Sequence, residues 1–178
     1  MKDLLEALVD HLPTASGPAP TSLRDRLLAS AAQPGRRFAP LYGSLSELFD
    51  LNDAALVALF ERAASPLSWS DAPTPGTSLL HLSGGPRAAG ADNGLVRLKA
   101  GARFPQHRHL GLERVLVLDG SYVDEPSGRV YRAGDLHEMP EGSAHTYVAS
   151  PERELWLAVS VVGGVDVEGF GVLSPSSA

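Results

Sequence analysis

The spacing of apolar and polar residues along the chain changes near residue 75. Before that point, leucines recur at the three- and four-residue intervals of amphipathic helices, as in "MKDLLEALVDHL" and "TSLRDRLLASAA". From about residue 77, short apolar runs such as "ERVLVL" and "ELWLAVSVV" alternate with Gly, Pro, Asp and Ser. Short strands at near-regular intervals, without a helix among them, are typical of a β-sandwich or barrel. The sequence therefore predicts helices first and then a β-rich domain.

The segment "GSLSELFDLNDAALVALFERAA", residues 43–64, predicts a pair of helices. Ser44 and Glu47 have the spacing of a capping box for the first helix, and Asn52 or Asp53 can cap the second. The side of the pair that we expect to be buried consists of Leu48, Phe49, Leu56, Leu59 and Phe60.

This pair superficially resembles a helix-turn-helix, but its charges do not suit DNA. A recognition helix exposes basic and amide side chains, whereas the second helix offers Arg62 against Asp53 and Glu61. We therefore expect the pair to dock on the β-domain. The predicted organisation is a helical segment with a linker (1–34), the docking helical pair (35–76) and the β-domain (77–178).

The composition narrows the classes of function. The chain of 178 residues contains no cysteine, so disulfides, thiolate catalysis and cysteine-bound zinc are excluded, and a transition metal would need His, Asp and Glu. A net charge of −6 and 6% aromatic residues do not favour binding to nucleic acid or to an anionic membrane. No apolar run reaches the ~20 residues of a membrane span, and the acidic start does not read as a signal peptide. We expect a cytoplasmic protein.

The stretch "GARFPQHRHLGLERVLVLDG" concentrates polar side chains that can bind a metal. His107 and His109 are two residues apart, so in a strand they point to the same side, and Glu113 shares their parity with Val115 and Val117. If the two valines fill the barrel interior, the three polar groups also face inward. Burying each without a partner costs a few kcal/mol, whereas a divalent cation would satisfy all three.

A second stretch, "GDLHEMPEGSAH", can supply a fourth donor. Pro140 and Gly142 predict a tight turn directly before His145. The sequence alone leaves open whether these groups form a metal site or a hydrogen-bonded surface cluster.

These two stretches resemble the paired motifs of the cupin superfamily. Residues 101–120 fit G-x5-H-x-H-x3-E-x6-G and residues 134–145 fit G-x5-P-x-G-x2-H, each at every fixed position. Ala149 stands where the second motif usually ends in Asn. The resemblance implies an all-β jelly-roll barrel, here with a small N-terminal α-helical extension. It also implies that the barrel holds a metal through His107, His109, Glu113 and His145.

Residues 35–172 further resemble the C-terminal cupin of ChrR-type anti-sigma factors, notably in "RFPQHRHLGLERVLVLDGSY" and "GRVYRAGDLHEMPEGSAH". In that family the cupin binds zinc and senses an oxidative signal, while a separate N-terminal zinc domain binds an ECF sigma factor through a His and Cys cluster. This chain has no cysteine, and His11 is its only histidine before residue 81. An ECF sigma factor is therefore a candidate partner that the missing cluster argues against.

Other side chains near the motifs are candidates for a ligand pocket. His137 lies between the motif residues and can be a donor near the metal or an ordinary strand residue. The remaining candidates are Tyr122, Tyr147, Met139 and Trp156, although side chains of these types are more often plain core residues.

Two functions fit this pattern. The first is a sensory or regulatory metal-binding module without turnover, which binds a small molecule and for which zinc is the expected ion. The second is a small dioxygenase acting on a diketone, a thiol or a similar molecule, for which iron is expected, with manganese and nickel as further alternatives. The strand "ELWLAVSVV" is apolar enough to be covered on both sides, either by the chain's own helices or by a second copy in a homodimer.

Overall fold

The computed structural model describes residues 33–173, and the helices predicted within residues 1–32 lie outside this range. None of the helices in the described part has the length and apolar character needed to cross a bilayer. Its α-helices are α1 (Tyr42–Phe49) and α2 (Asp53–Ala63), and 3₁₀ turns occur at Pro34–Arg36, Ala39–Leu41 and Pro66–Ser68. Its strands are β1 (Ser70–Asp71), β2 (Thr77–Leu82), β3 (Asp92–Leu98), β4 (Arg103–His109), β5 (Glu113–Asp119), β6 (Ser121–Asp124), β7 (Val130–Arg132), β8 (Leu136–Met139), β9 (Ala144–Ala149), β10 (Leu155–Val161), β11 (Val165–Val167) and β12 (Gly171–Leu173).

The strands between residues 70 and 173 form two six-stranded antiparallel sheets. The first has the order β1-β2-β3-β10-β5-β8, and the second has the order β12-β11-β4-β9-β6-β7. From β3 to β11 the chain changes sheet at every step except between β6 and β7, so it crosses repeatedly between the two sheets. The prediction of an all-β jelly-roll barrel with a small helical part is confirmed.

Strand β5 shows how one sheet serves two cores. Val115 and Val117 point into the space between the sheets, as predicted, and join the interior core there. Leu116 and Leu118 point the other way, toward the helices. Because neighbouring residues of a strand face opposite sides, an almost unbroken apolar run is needed where both faces are covered.

The helical pair covers the outer face of the first sheet. All five residues predicted to be buried on the pair are buried, and they pack against outer-face residues of β2, β3, β5 and β10. Asn52 caps α2 as predicted, because its Oδ1 accepts a hydrogen bond from the backbone N–H of Ala55 at 3.0 Å. The predicted Ser44–Glu47 capping box is wrong: a 3₁₀ turn runs directly into α1, which begins at Tyr42, so Ser44 is already inside the helix.

The turn between the helices is tied to the loop that joins β2 to β3. Asp50 ends α1 in the left-handed region, with φ of 55°. Its carboxylate accepts hydrogen bonds from the guanidinium and the backbone N–H of Arg87. A Cβ at Gly85 would lie 2.1 Å from the carbonyl oxygen of Asp50, so only glycine permits this approach.

Strand β10 is covered on both faces by its own chain. Leu155 and Leu157 belong to the interior core, while Trp156 and Ala158 pack under the helices. The apolar sequence of this strand could be covered by the chain's own helices or by a second copy in a homodimer, and the structure shows the helices covering it.

Truncating a residue between helix and sheet should destabilise the domain. Leu56 is fully buried, so Leu56→Ala should lower the free energy of unfolding by about 2–5 kcal/mol, measured by denaturant titration. Leu67, which is 96% exposed, provides the control, since Leu67→Ala should change the free energy by less than about 0.5 kcal/mol. Equal, small effects of both substitutions would mean that the helices do not depend on this packing.

Candidate metal centre

Three histidines from two paired strands meet inside the barrel. His107 and His109 lie on β4, and His145 on β9 is the direct cross-strand partner of His107. All three are buried, and one ring nitrogen from each lies within 4.8 Å of the others, an arrangement that can hold a metal ion. Their convergence follows from strand alternation on β4 and from the register of β4 with β9.

Hydrogen bonds fix the protonation pattern of the two β4 histidines. His107 Nδ1 lies 3.0 Å from the carbonyl oxygen of Pro105, which only accepts, so Nδ1 carries the proton. His109 Nδ1 lies 2.9 Å from the hydroxyl oxygen of Ser143, and that hydroxyl donates its own hydrogen to the carbonyl of Pro140. His109 Nδ1 therefore also donates. In the neutral form of each ring, Nε2 then carries the lone pair that can bind a metal.

His145 is oriented by a carboxylate. Its Nδ1 donates to Oδ1 of Asp124 at 2.8 Å, and Asp124 also accepts from the backbone N–H and hydroxyl of Ser127. Burial alone would raise the pKa of Asp124, but the hydrogen bonds from Ser127 and His145 outweigh it and lower the pKa. Asp124 is therefore ionised at neutral pH, as in the carboxylate–histidine pairs that accompany protein metal ligands.

Glu113 reaches one of the three histidines. Its Oε2 lies 2.7 Å from Nε2 of His109, but the angle is not that of a hydrogen bond, and both atoms are buried without a hydrogen-bond partner among the described residues. Glu113 is not within the mutual 4.8 Å of the histidine group. Two buried lone-pair atoms facing each other are costly, and a cation between them removes that cost, so these residues fit a metal ion.

Burial keeps the imidazoles in the form that binds metal. The pKa of His107 is lowered to about 4, chiefly by desolvation, and the neighbouring His145 contributes. Desolvation also lowers the pKa of His145, against the opposing effect of its hydrogen bond to Asp124. Both rings are therefore neutral at physiological pH, as ligation requires.

An apolar cavity of about 330 Å³ adjoins the histidine group. His107, Glu113 and His145 form part of its wall, whereas His109 does not. The rest of the wall is mainly aliphatic and aromatic and includes Val96, Phe104, Val115, Tyr122, Tyr147, Leu157 and Val159. An ion held by the group would therefore adjoin a space large enough for a small organic molecule.

Tyr122 and Tyr147, two of the predicted pocket residues, lie on the cavity wall. Burial raises the pKa of each phenol well above its usual value. His137, another predicted residue, is not on the wall. Its Nδ1 lies 2.9 Å from the hydroxyl of Tyr122, and its ring stacks on Tyr131 with centroids 4.1 Å apart. His137 thus supports a wall residue from behind.

Met139 and Trp156 do not line the cavity, so of the two interpretations left open for them, pocket or core, the core one is observed. Met139 is buried in the interior core as the cross-strand partner of Glu113. Trp156 points to the opposite face of the first sheet, because it alternates with Leu155 and Leu157. There it packs edge-on against Trp69, with ring centroids 5.2 Å apart.

Two side chains that orient histidines, Asp124 and Ser143, were not predicted from the sequence. For Asp124 a signal existed: it follows Tyr122 by two residues in a strand, so it shares the inward face, where an acidic residue is unexpected. Ser143 belongs to the turn that we expected before His145, but nothing in the sequence marks its hydroxyl as a partner of His109.

The two sheets and the inward histidine cluster define a cupin. The chain belongs to the ChrR cupin-like domain family, whose model matches residues 61–162. None of the curated proteins matches the chain.

Solved structures share this fold at low sequence identity. A chain of the Rhodobacter sphaeroides complex of SigE with the anti-sigma ChrR is 21% identical, with 90% of this chain and 75% of that chain covered and a TM-score of 0.53. An acetylacetone dioxygenase from Acinetobacter johnsonii is 17% identical, with 62% and 80% covered and a TM-score of 0.51. The chain covers 64% of a cupin-like protein from Ralstonia eutropha, less than two thirds of that protein's length, at 21% identity and a TM-score of 0.47.

Removing two of the candidate ligands should abolish metal binding. We expect His107→Ala combined with His109→Ala to lower metal affinity by more than ~10–100-fold, which is the loss typical when a residue that only hydrogen-bonds to a metal ligand is replaced. The melting temperature of protein incubated with metal should fall as well. Elemental analysis of protein purified without a histidine tag measures the metal content. His81→Ala, at an exposed histidine, is the control. Unchanged metal content in the double variant would contradict the assignment.

The metal-free protein should lose stability in mild acid. The pKa of His107 is about 4 in the folded protein and about 6.5 in an unfolded chain. As the pH falls from ~6.5 toward ~4, the unfolded chain binds a proton that the folded protein does not, so stability falls by on the order of 1 kcal/mol per pH unit. Denaturant titrations at pH 7.5 and 5.0 with a chelator measure this change. His107→Gln should reduce the slope, and a slope that stays the same would contradict this account.

Proposed function

We propose that this protein is a regulatory cupin that holds one divalent metal through His107, His109, Glu113 and His145 and senses a small ligand or oxidant in the adjoining cavity. One observation carries the proposal. Three buried imidazoles whose Nδ1 atoms are already engaged direct their remaining lone pairs into one group, and two of these rings border an apolar cavity. This is an ion-binding site in contact with a ligand-binding space.

The strands that wall the cavity also carry the helices, which gives the proposed signal a route. Inward residues such as Val115 and Leu157 line the cavity, while their neighbours Leu116 and Ala158 pack under α1 and α2. Interiors are closely packed and transmit displacement. A shift of β5 or β10 on ligand binding therefore reaches the helical pair, which is the surface we expect a partner to read.

The cavity wall supports a role without turnover. Apart from the four proposed ligands, the titratable groups on the described wall are Tyr122, Tyr147 and the pair of exposed His81 with half-buried Asp92. The raised pKa values of the two phenols make them poor bases at neutral pH. Among the described wall groups other than the proposed ligands, only the His81–Asp92 pair is then left as an acid–base candidate, and its histidine is exposed.

Zinc is the ion we propose first, because His and carboxylate are among its usual donors. Iron, manganese and nickel accept the same donors with additional open positions. When bound, such an ion supplies a Lewis-acidic position for an oxygen atom of the ligand.

For partners, an ECF sigma factor is the candidate suggested by the SigE–ChrR complex that shares the fold, in a cytoplasmic setting. The absence of cysteine from the chain excludes a His and Cys zinc cluster as the means of contact. A homodimer is also proposed, although β10 does not require one, since its own helices already cover it. Co-purification with ECF sigma factors from the source tests the sigma-factor proposal. A tight stoichiometric complex would establish the sigma factor as a partner.

The apolar character of the cavity favours one alternative, a small metal-dependent dioxygenase. A cavity of about 330 Å³ with an ion at its wall could also hold a small diketone or thiol for reaction with dioxygen.

Oxygen uptake separates the two functions. Protein loaded with ferrous iron should consume no more oxygen with pentane-2,4-dione or cysteine than does the His107→Ala/His109→Ala variant. Sustained uptake by the native chain alone would overturn the regulatory proposal in favour of the dioxygenase. Zinc-loaded protein provides a second control, because zinc has no redox chemistry.

A further inference from the structure

We infer that the cavity selects a small monoanion with an apolar body, whose charged oxygen binds at the metal position and whose second oxygen accepts a hydrogen bond from the hydroxyl of Tyr147. The inference rests on the proposed function, because it assumes an ion among the four side chains. It adds the chemical class of the ligand and a residue that recognises it.

The balance of charge around the metal position favours one negative charge on the ligand. A histidine that binds a metal does so as neutral imidazole, and each Nδ1 is already engaged by Pro105, Ser143 or Asp124, which leaves Nε2 for the ion. Glu113 contributes one negative charge, so a divalent ion and its four proposed ligands together carry two minus one, or plus one. In an apolar surrounding, an uncompensated charge is costly. A monoanion removes this cost, whereas a neutral ligand leaves it in place.

The two other carboxylates near the cavity are each bonded to another side chain. Asp124 is absent from the cavity wall, lies behind the ring of His145 and is held by Ser127 and His145. Asp92 is on the wall, but its carboxylate is bonded to the exposed His81 at 3.0 Å. The ion and Glu113 are thus the nearest charges to a ligand oxygen at the metal.

Tyr147 provides a donor with nothing else to bind. It is on the cavity wall and its side chain is 93% buried, at 7% exposure. Its ring lies flat against Phe104, with centroids 5.2 Å apart and planes 7° apart, which fixes its position. Its hydroxyl makes no hydrogen bond to any residue in the described part of the chain. The hydroxyl of Tyr122, in contrast, is already paired with His137.

The remainder of the wall fits an apolar body. Phe104 and Val96 line the space with Leu157 and Val159, and burying apolar surface against them contributes ~25 cal/mol per Å². A carboxylate or enolate without such a body would bind only through its charge, and a larger body would exceed a cavity at the small end of the usual range.

Benzoate, benzamide and acetate test each part of this inference by isothermal titration calorimetry. The protein is first shown by elemental analysis to hold one zinc. Benzoate should then bind at least about tenfold more tightly than benzamide, which lacks the charge, and than acetate, which lacks the ring. Removing zinc with a chelator should abolish the preference for benzoate over benzamide. Tyr147→Phe should weaken benzoate binding about fivefold, the effect of one hydrogen bond. Tyr131→Phe, at a buried tyrosine outside the cavity wall, is the matched control and should change nothing.

Each outcome decides a separate claim. If the protein binds no metal, the proposed function fails before any ligand is added. If zinc binds and benzoate is no tighter than benzamide, the charge selection is overturned although the metal centre stands. If Tyr147→Phe and Tyr131→Phe bind benzoate equally well, the role of the Tyr147 hydroxyl is overturned.

Discussion

One constraint in the interior of this barrel bears on the rest of the structure: four polar side chains, those of His107, His109, Glu113 and His145, are buried where most surrounding residues are apolar. Burial of unpaired polar atoms costs a few kcal/mol each, yet Nε2 of His109 and Oε2 of Glu113 are buried without a hydrogen-bond partner among the described residues. The neighbouring structure does not relieve this cost. Instead, Pro105, Ser143 and Asp124 engage the opposite nitrogens of the rings and so hold the lone pairs in place. An arrangement of this kind is preorganised for a cation.

The first sheet joins this site to the outside of the domain. Its central strands are apolar on both faces, because one face borders the cavity and the other supports α1 and α2. The turn between these helices is further tied to the β2–β3 loop through Asp50 and Arg87. The helical layer therefore packs directly on the reverse side of strands that border the cavity.

Much of the fold could be predicted because local rules and tertiary structure agree. The parity of Val115 and Val117 predicted an inward face correctly, and the helical spacing of Leu48, Phe49, Leu56, Leu59 and Phe60 predicted the buried side of the helices. Failures occurred where local spacing was not decisive. Ser44 and Glu47 fit a cap, but the preceding 3₁₀ turn had already begun the helix. Trp156 has the type of side chain that can line a pocket, but it alternates with Leu157 along β10 and therefore points toward the helices.

The limits are clearest at the site itself. Spacing within "HRH" placed two imidazoles on one face, but only the register of β4 with β9 brings His145 opposite His107. The roles of Asp124 and Ser143 depend on contacts across 21 and 34 residues of sequence. Such long-range contacts follow from the assembled sheets, so local pattern cannot supply them.

X-ray absorption spectroscopy of the untagged protein tests the central claim most directly, because it reports the ligands of a bound metal. The account predicts one metal per chain with nitrogen and oxygen donors only and with the multiple-scattering signature of about three imidazoles. A metal without imidazole ligands, or a folded protein that remains metal-free in the presence of zinc and ferrous iron, would contradict it.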